Sequence, residues 1–186
     1  GSGKSTMIHS FLRLLPEKTA AVTGHSYFDD IDLLNCGEKE LKDLRWKEIA
    51  VVFQKSMNSL SQIHKIGTQF EDIYRVHHPK ARKQEMNEAI CNLLEIVNLG
   101  PHVYQMYPFE LSGGMQQRLN IALSLMFHPS LLIMDEATTA LDVITQGQIM
   151  DEISEIEKRF SITRIMITHD LSVVASSCER ILVIYA

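Results

Sequence analysis

Basic blocks, cysteine pairs and long apolar runs are all missing from this 186-residue sequence, and each absence narrows what the chain can do. With 18 Lys+Arg against 23 Asp+Glu the formal net charge is -5. No run of cations supplies the attraction to a phosphate backbone on which nucleic-acid binders depend, so no nucleic-acid partner is expected and any anion must be held locally. The three cysteines, Cys36, Cys91 and Cys178, form no CxxC pair. They fit a reduced intracellular protein with buried spectator thiols and no cysteine-built metal centre. No apolar stretch approaches the roughly 18 residues that a membrane crossing needs, and no basic-then-apolar leader opens the chain. Work at a membrane would be done from its side. At 45% hydrophobic and 22% charged, the chain has enough apolar material for one substantial core and a small appended subdomain.

The chain opens on Gly1-Ser2-Gly3-Lys4-Ser5-Thr6, the last part of a GxxxxGK[ST] phosphate loop whose first glycine would lie three residues before Gly1. Such a loop follows a buried strand, and none precedes it here, so the sequence reads as an internal segment of a longer protein, with pieces missing at the N-terminus and also at the C-terminus. Glycines let backbone N–H groups approach phosphates, Lys4 supplies a cation to the β and γ phosphates, and Ser5 offers a hydroxyl to Mg²⁺. The bland alternative is a Gly/Ser turn that caps a helix.

Met7, Phe11, Leu14 and Leu15 recur at helical spacing and Pro16 stops the pattern, which predicts a helix over 4–15 with its N-terminus toward phosphate. From 20 to 34 the pattern is short and strand-like, a small antiparallel region. The run Ile49-Ala50-Val51-Val52-Phe53 predicts a buried strand that delivers Gln54 at its carboxyl end. Residues 56–127 read mainly as helix, with Ala89, Leu93, Leu94 and Val97 as one apolar stripe. Buried strands are expected at 131–134, ending in Asp135-Glu136, and at 164–168, ending in His169-Asp170. Ile149, Ile153, Ile156 and Phe160 mark the crossover helix between them, and 180–186 suggests a further strand. The whole predicts an α/β fold of the phosphate-loop NTPase (RecA-like) class: a mostly parallel sheet core, a small antiparallel β region and an inserted helical subdomain. Its division is expected at 1–53 with 129–186 for the ATPase core, and 54–128 for the helical subdomain.

Asp135 can hold Mg²⁺ through water, and Glu136 can polarise the water that attacks a γ-phosphate. A strand that merely ends in a solvated acidic turn is the alternative. Leu111-Ser112-Gly113-Gly114-Met115-Gln116-Gln117 precedes a helix with Met115, Leu119, Ala122 and Met126 on its buried side. Ser112 and the two glycine amides therefore sit at a helix N-terminus, either a plain N-cap or a second anion site. His25, His64, His77, His78, His102 and His128 read as surface, the His77-His78 pair beside Pro79 as a solvated loop without a third ligand. Trp46, the only tryptophan, reads as packing.

GSGKST, VVFQ, LSGGMQQR, LLIMDE, TALD and ITHD occur in one order over essentially the whole chain, and together they resemble the nucleotide-binding subunits of ATP-binding cassette (ABC) transporters. The resemblance implies that Gly1, Ser2, Gly3, Lys4, Ser5 and Thr6 belong to the Walker A loop and Gln54 to the Q-loop. It places Ser112, Gly113 and Gly114 in the signature motif, Asp135 and Glu136 in Walker B, Asp142 in the D-loop, and His169 at the switch histidine. FQKSMNSL, PFELSGGMQQR and DEATTALDVITQ are most similar to the peptide and nickel importer branch. The family mechanism then implies two cassettes stacked head to tail, with Ser112 of one closing on the γ-phosphate held by the other. Water polarised by Glu136 would attack in line, with Mg²⁺ held by Ser5, Asp135 and Gln54, and His169 on the γ-phosphate. Implied partners are a second ABC ATPase subunit, identical or related, transmembrane permease subunits whose coupling helix reads Gln54, and an extracytoplasmic substrate-binding protein. The implied location is the cytoplasmic face of the membrane. A cytosolic translation or DNA-repair cassette and a regulatory cassette without turnover are the alternatives. Against the family pattern, Ala137 stands where Pro is usual, and the adenine-stacking aromatic lies upstream.

Overall fold

The computed structural model describes residues 2–16, 18, 20–53, 60–138 and 141–185, the side chain of Trp46 excepted. Gly1, Gln54 and the packing expected of Trp46 therefore lie outside the described residues, as do Thr139 and Ala140 before the D-loop aspartate.

Helix α1 (Lys4–Phe11) follows the phosphate loop, and a short antiparallel pair, β1 (Tyr27–Phe28) and β2 (Ile31–Asp32), precedes α2 (Glu38–Lys47). A three-stranded parallel sheet has the order β3 (Ile49–Val52), β4 (Leu131–Asp135), β5 (Thr163–Ile167). Between β3 and β4 run α3 (Ile66–His77), α4 (Lys83–Ile96), two 3₁₀ turns and α5 (Gly113–Leu125). Helix α6 (Val143–Phe160) crosses from β4 to β5, and α7 (Leu171–Ser177) follows.

Alternation along the strands sorts the core into two layers. Ile49, Ile133 and Ile167 pack with Ile8 and Leu12 of α1 and Leu41 of α2 on one face. Ala50, Val52, Leu132 and Met134 join the buried sides of α3 to α6 on the other. Phe70 of α3 is 0% exposed within that second layer. Phe70→Ala should cost about 3–5 kcal/mol, because a large ring leaves a cavity that packed neighbours only partly fill. A urea titration reads this as a lower midpoint with an unchanged slope.

Three expectations are corrected. Helix α1 ends at Phe11 rather than residue 15. Arg13 turns left-handed (φ 51), its N–H bonds to Ser10 O and the Leu14 N–H reaches back to His9 O, a Schellman closure that apolar periodicity does not reveal. Residues 181–185 form no strand among the described residues, and Leu182, Val183 and Tyr185 are exposed. Apolar composition alone makes no ladder without a neighbouring strand. His77 is the last residue of α3, not loop, and its half-buried ring lies 4.4 Å from that of Phe127. Burial lowers its pKa, with Lys47 adding to the effect.

Candidate functional site

Parallel strands end together, so the sheet brings residues distant in sequence to one carboxyl edge. β4 carries Asp135 there, 6% exposed, and the Ser5 hydroxyl at the start of α1 donates to its Oδ1 at 2.9 Å. Gly3, which caps α1, adopts φ 80 and ψ 8, a left-handed turn that glycine takes without a Cβ clash. The first turn of α1 holds no acidic residue, which leaves its amide end open to an anion. Lys4 Nζ donates to Ser2 Oγ at 3.0 Å, so its ammonium folds back over the loop.

One residue on, Glu136 is left-handed (φ 50) and its N–H donates to Ile167 O at 2.9 Å. That bond ties the Glu136 backbone to the end of β5, just ahead of His169. The two side chains meet, His169 Nδ1 lying 3.3 Å from Glu136 Oε1. Asp170 caps α7, and the hydroxyl and N–H of Ser172 hold its carboxyl below the usual carboxylate range. Ala137, at the family's proline position, is buried in the turn.

Ser5 and Asp135 offer a hydroxyl and a carboxylate oxygen, the hard donors that Mg²⁺ accepts. The ion ordinarily takes one or two such protein oxygens and completes its shell with phosphate and water. Among the described residues no three His, Cys, Asp or Glu converge on a metal site, so a protein-built cage is not what this edge presents.

The LSGGM segment forms a second locus. Ser112 caps α5 and its Oγ accepts the Met115 N–H at 3.3 Å, while Ser112 and Gly113 remain exposed. Asp142 caps α6, accepting the Thr145 N–H at 3.0 Å and its hydroxyl at 2.7 Å. Those bonds lower the Asp142 pKa. The two loci are coupled: a Cβ on Gly114 would lie 2.9 Å from Thr145 Cγ2, so the start of α5 approaches α6 as closely as glycine permits.

The structure thus brings Ser5 to Asp135, Glu136 to His169, and the Gly114 helix to the Asp142 helix. Ser112 bonds its own helix, and among the described residues no hydrogen bond joins it to the phosphate loop. Sequence reasoning missed Thr145, though Asp-x-x-Thr is an N-cap signal. It also missed the Gln146 Nε2 to Thr138 Oγ1 bond at 3.2 Å and the Arg118 to Glu152 pair, which sit 8 and 34 residues apart and have no local signature.

A phosphate loop opening a helix, faced by an acid pair at the end of a parallel strand, defines a phosphate-loop nucleotide-binding domain. The chain belongs to the ABC transporter family, whose sequence profile matches residues 1–139. It is 40% identical over 185 residues to the dipeptide transport ATP-binding protein DppD of Caldanaerobacter subterraneus subsp. tengcongensis, covering 99% of this chain and 57% of that protein. It is 40% identical over 189 residues to the oligopeptide transport ATP-binding protein OppD of Salmonella typhimurium, covering 100% and 56%. The chain therefore spans little more than half the length of these relatives.

Among solved structures, the ATP-binding cassette MJ0796 in a dimeric post-hydrolysis state bound to ADP and Pi superposes with a TM-score of 0.76 at 28% identity, covering 92% of this chain and 72% of that one. CbiO1 from Clostridium perfringens, part of the ABC transporter complex cbiONQ, gives 0.78 at 28% identity, covering 96% and 67%. No described helix is long and apolar enough to cross a membrane.

Proposed function

We propose that this chain is the ATP-binding and ATP-hydrolysing part of an ABC importer for peptides, with nickel as the other cargo of the same branch. The observation that carries the reading is the junction of two pairs at one sheet edge: Ser5 on Asp135 and His169 on Glu136. The first pair would hold Mg²⁺, with Gln54, and the ion supplies charge neutralisation on the β and γ phosphates. Lys4 and the α1 amide end bind the phosphates. Glu136 takes the proton of the attacking water, and His169, in contact with that carboxylate, bonds the γ-phosphate.

Ser112, exposed and bonded within the first turn of its own helix, suits closure on the nucleotide of a second cassette. Asp142 lies on the edge of the same interface. The partner is then a second ABC ATPase subunit, a copy of this chain or a related one. Permease subunits and an extracytoplasmic substrate-binding protein complete the transporter, and the chain works peripherally on the cytoplasmic face. Residues 1–53 and 129–186 form the ATPase core, and 54–128 form the helical subdomain that meets the permease. The transport names of the relatives favour a transporter over a cytosolic cassette.

Phosphate release by the protein in membranes with its permease tests the reading. ATP turnover should need Mg²⁺, stop with EDTA and rise with a di- or oligopeptide at the outer face. Turnover stimulated only by Ni²⁺ reassigns the cargo, and the absence of turnover in the assembled complex overturns the reading.

A further inference from the structure

Two helices carry the pieces that a partner cassette must receive. α5 begins at Ser112 and α6 at Asp142, and they touch near their starts where Gly114 meets Thr145. One turn further along α5 and two turns further along α6 they touch again. Arg118 Nε donates to Glu152 Oε2 at 2.9 Å and Arg118 Nη2 to Glu152 Oε1 at 2.8 Å. Gly114 and Arg118 are four residues apart, and Thr145 and Glu152 seven, so both contacts lie on one face of each helix. Both charged side chains are only 17% exposed. A two-point fork fixes orientation as well as distance, which a single ammonium contact does not do. The Glu152 bonds also raise the Arg118 pKa against the cost of its burial, so the cation persists at any working pH.

Leu119 and Ala122 of α5 and Ile149 and Ile153 of α6 belong to one buried apolar cluster, whose contacts are non-directional, whereas the fork adds a directional tie. Beyond the pair, Gln146 in the first turn of α6 hydrogen-bonds Thr138, two residues after Glu136. A continuous set of contacts thus runs from the Ser112 helix through α6 to the turn that holds the general base.

We propose that Arg118 and Glu152 are positioning residues that lock α5 to α6, so that Ser112 and Asp142 reach the partner's nucleotide as one rigid edge. The proposal rests on the ATPase reading above. It assigns the pair to closure of the composite site, not to nucleotide capture, which Lys4 and Ser5 perform elsewhere. Loosening the fork therefore lowers kcat and leaves KM for ATP alone.

The test compares parent, Arg118→Lys, Glu152→Gln and the exchanged double variant Arg118→Glu with Glu152→Arg, each in the full protein with its partner cassette. Arg118→Lys keeps the charge and loses the fork, and should lower kcat about tenfold with KM for ATP changed by less than about twofold. Its melting temperature without nucleotide should fall by no more than about 4 °C. The exchanged pair should recover most of the lost kcat. Parental kcat in both single variants overturns the proposal. So does a loss of kcat that follows melting temperature across the series with no recovery in the exchanged pair, which marks a structural bond only. If the exchanged pair fails to fold, the kcat and KM values of Arg118→Lys and Glu152→Gln decide. A parent that releases no phosphate overturns the ATPase reading and this proposal with it, whereas an active parent with indifferent variants removes this proposal alone.

Discussion

Glu136→Gln protein should bind ATP with Mg²⁺ at parental affinity, release phosphate about 10²- to 10⁴-fold more slowly, and accumulate as an ATP-bound dimer. The substitution is nearly isosteric, so the left-handed turn at 136, the N–H bond to Ile167 O and the buried Asp135 beside it are retained. What is lost is the group proposed to accept a proton from water. Neither Lys4 nor Ser5 is disturbed, so capture of the phosphates survives. A step that normally follows closure is blocked, and the closed state is what collects. The measurements are nucleotide binding by fluorescence, phosphate release at saturating ATP, and mass by light scattering with and without ATP. Phosphate release at the parental rate would remove Glu136 from the role of base. His169→Ala gives the companion result through the 3.3 Å contact it makes with Glu136. Losing the imidazole removes one contact of the carboxylate and leaves the carboxylate itself in place, so turnover should fall less steeply than in Glu136→Gln.

The edge where this chemistry sits was legible because its signals are local. Glycines followed by Lys4 and Ser5 mark a turn that opens a helix, and an apolar run that ends in Asp135 and Glu136 marks a strand with a candidate acid pair, each within a few residues. The apolar runs at 49–53 and 131–134 form the buried strands β3 and β4, and Ile149, Ile153 and Ile156 turned inward as their spacing predicts. The failures share a different cause. Leu14 and Leu15 continue the apolar pattern of α1, but the helix closes at a left-handed Arg13, a backbone preference that hydrophobicity does not encode. Residues 181–185 have strand composition and no strand, because pairing depends on what lies alongside. Arg118 and Glu152 look like two ordinary surface charges until the fold brings helices 34 residues apart into contact. The left-handed Glu136 was equally hidden, since neither it nor Ala137 belongs to the residue types that favour that conformation.

Lys4→Ala and Ser112→Glu should both abolish turnover for opposite reasons, and the contrast tests whether the site is shared between two chains. Lys4 is the cation of the loop that opens α1, and its removal should weaken ATP binding by the isolated chain about 100-fold. Ser112 accepts a hydrogen bond from the first turn of its own helix, and among the described residues no hydrogen bond joins it to that loop. A carboxylate there should leave ATP binding by one chain unchanged. It would repel the γ-phosphate presented by a partner and cancel the amide end of α5 that faces it, lowering turnover by about 10²- to 10³-fold. Equilibrium binding separates the two variants before any kinetics are measured, because a site contained in one chain would make Ser112→Glu either harmless or a binding defect. Mixing the two inactive proteins carries the argument one step further. In a head-to-tail pair of copies, the intact Lys4 loop of one variant faces the intact Ser112 of the other, so one site of two is whole. Recovery of turnover identifies the partner as a second copy of this chain. Continued silence, with each variant still rescued by the parent's partner subunit, identifies a related cassette instead.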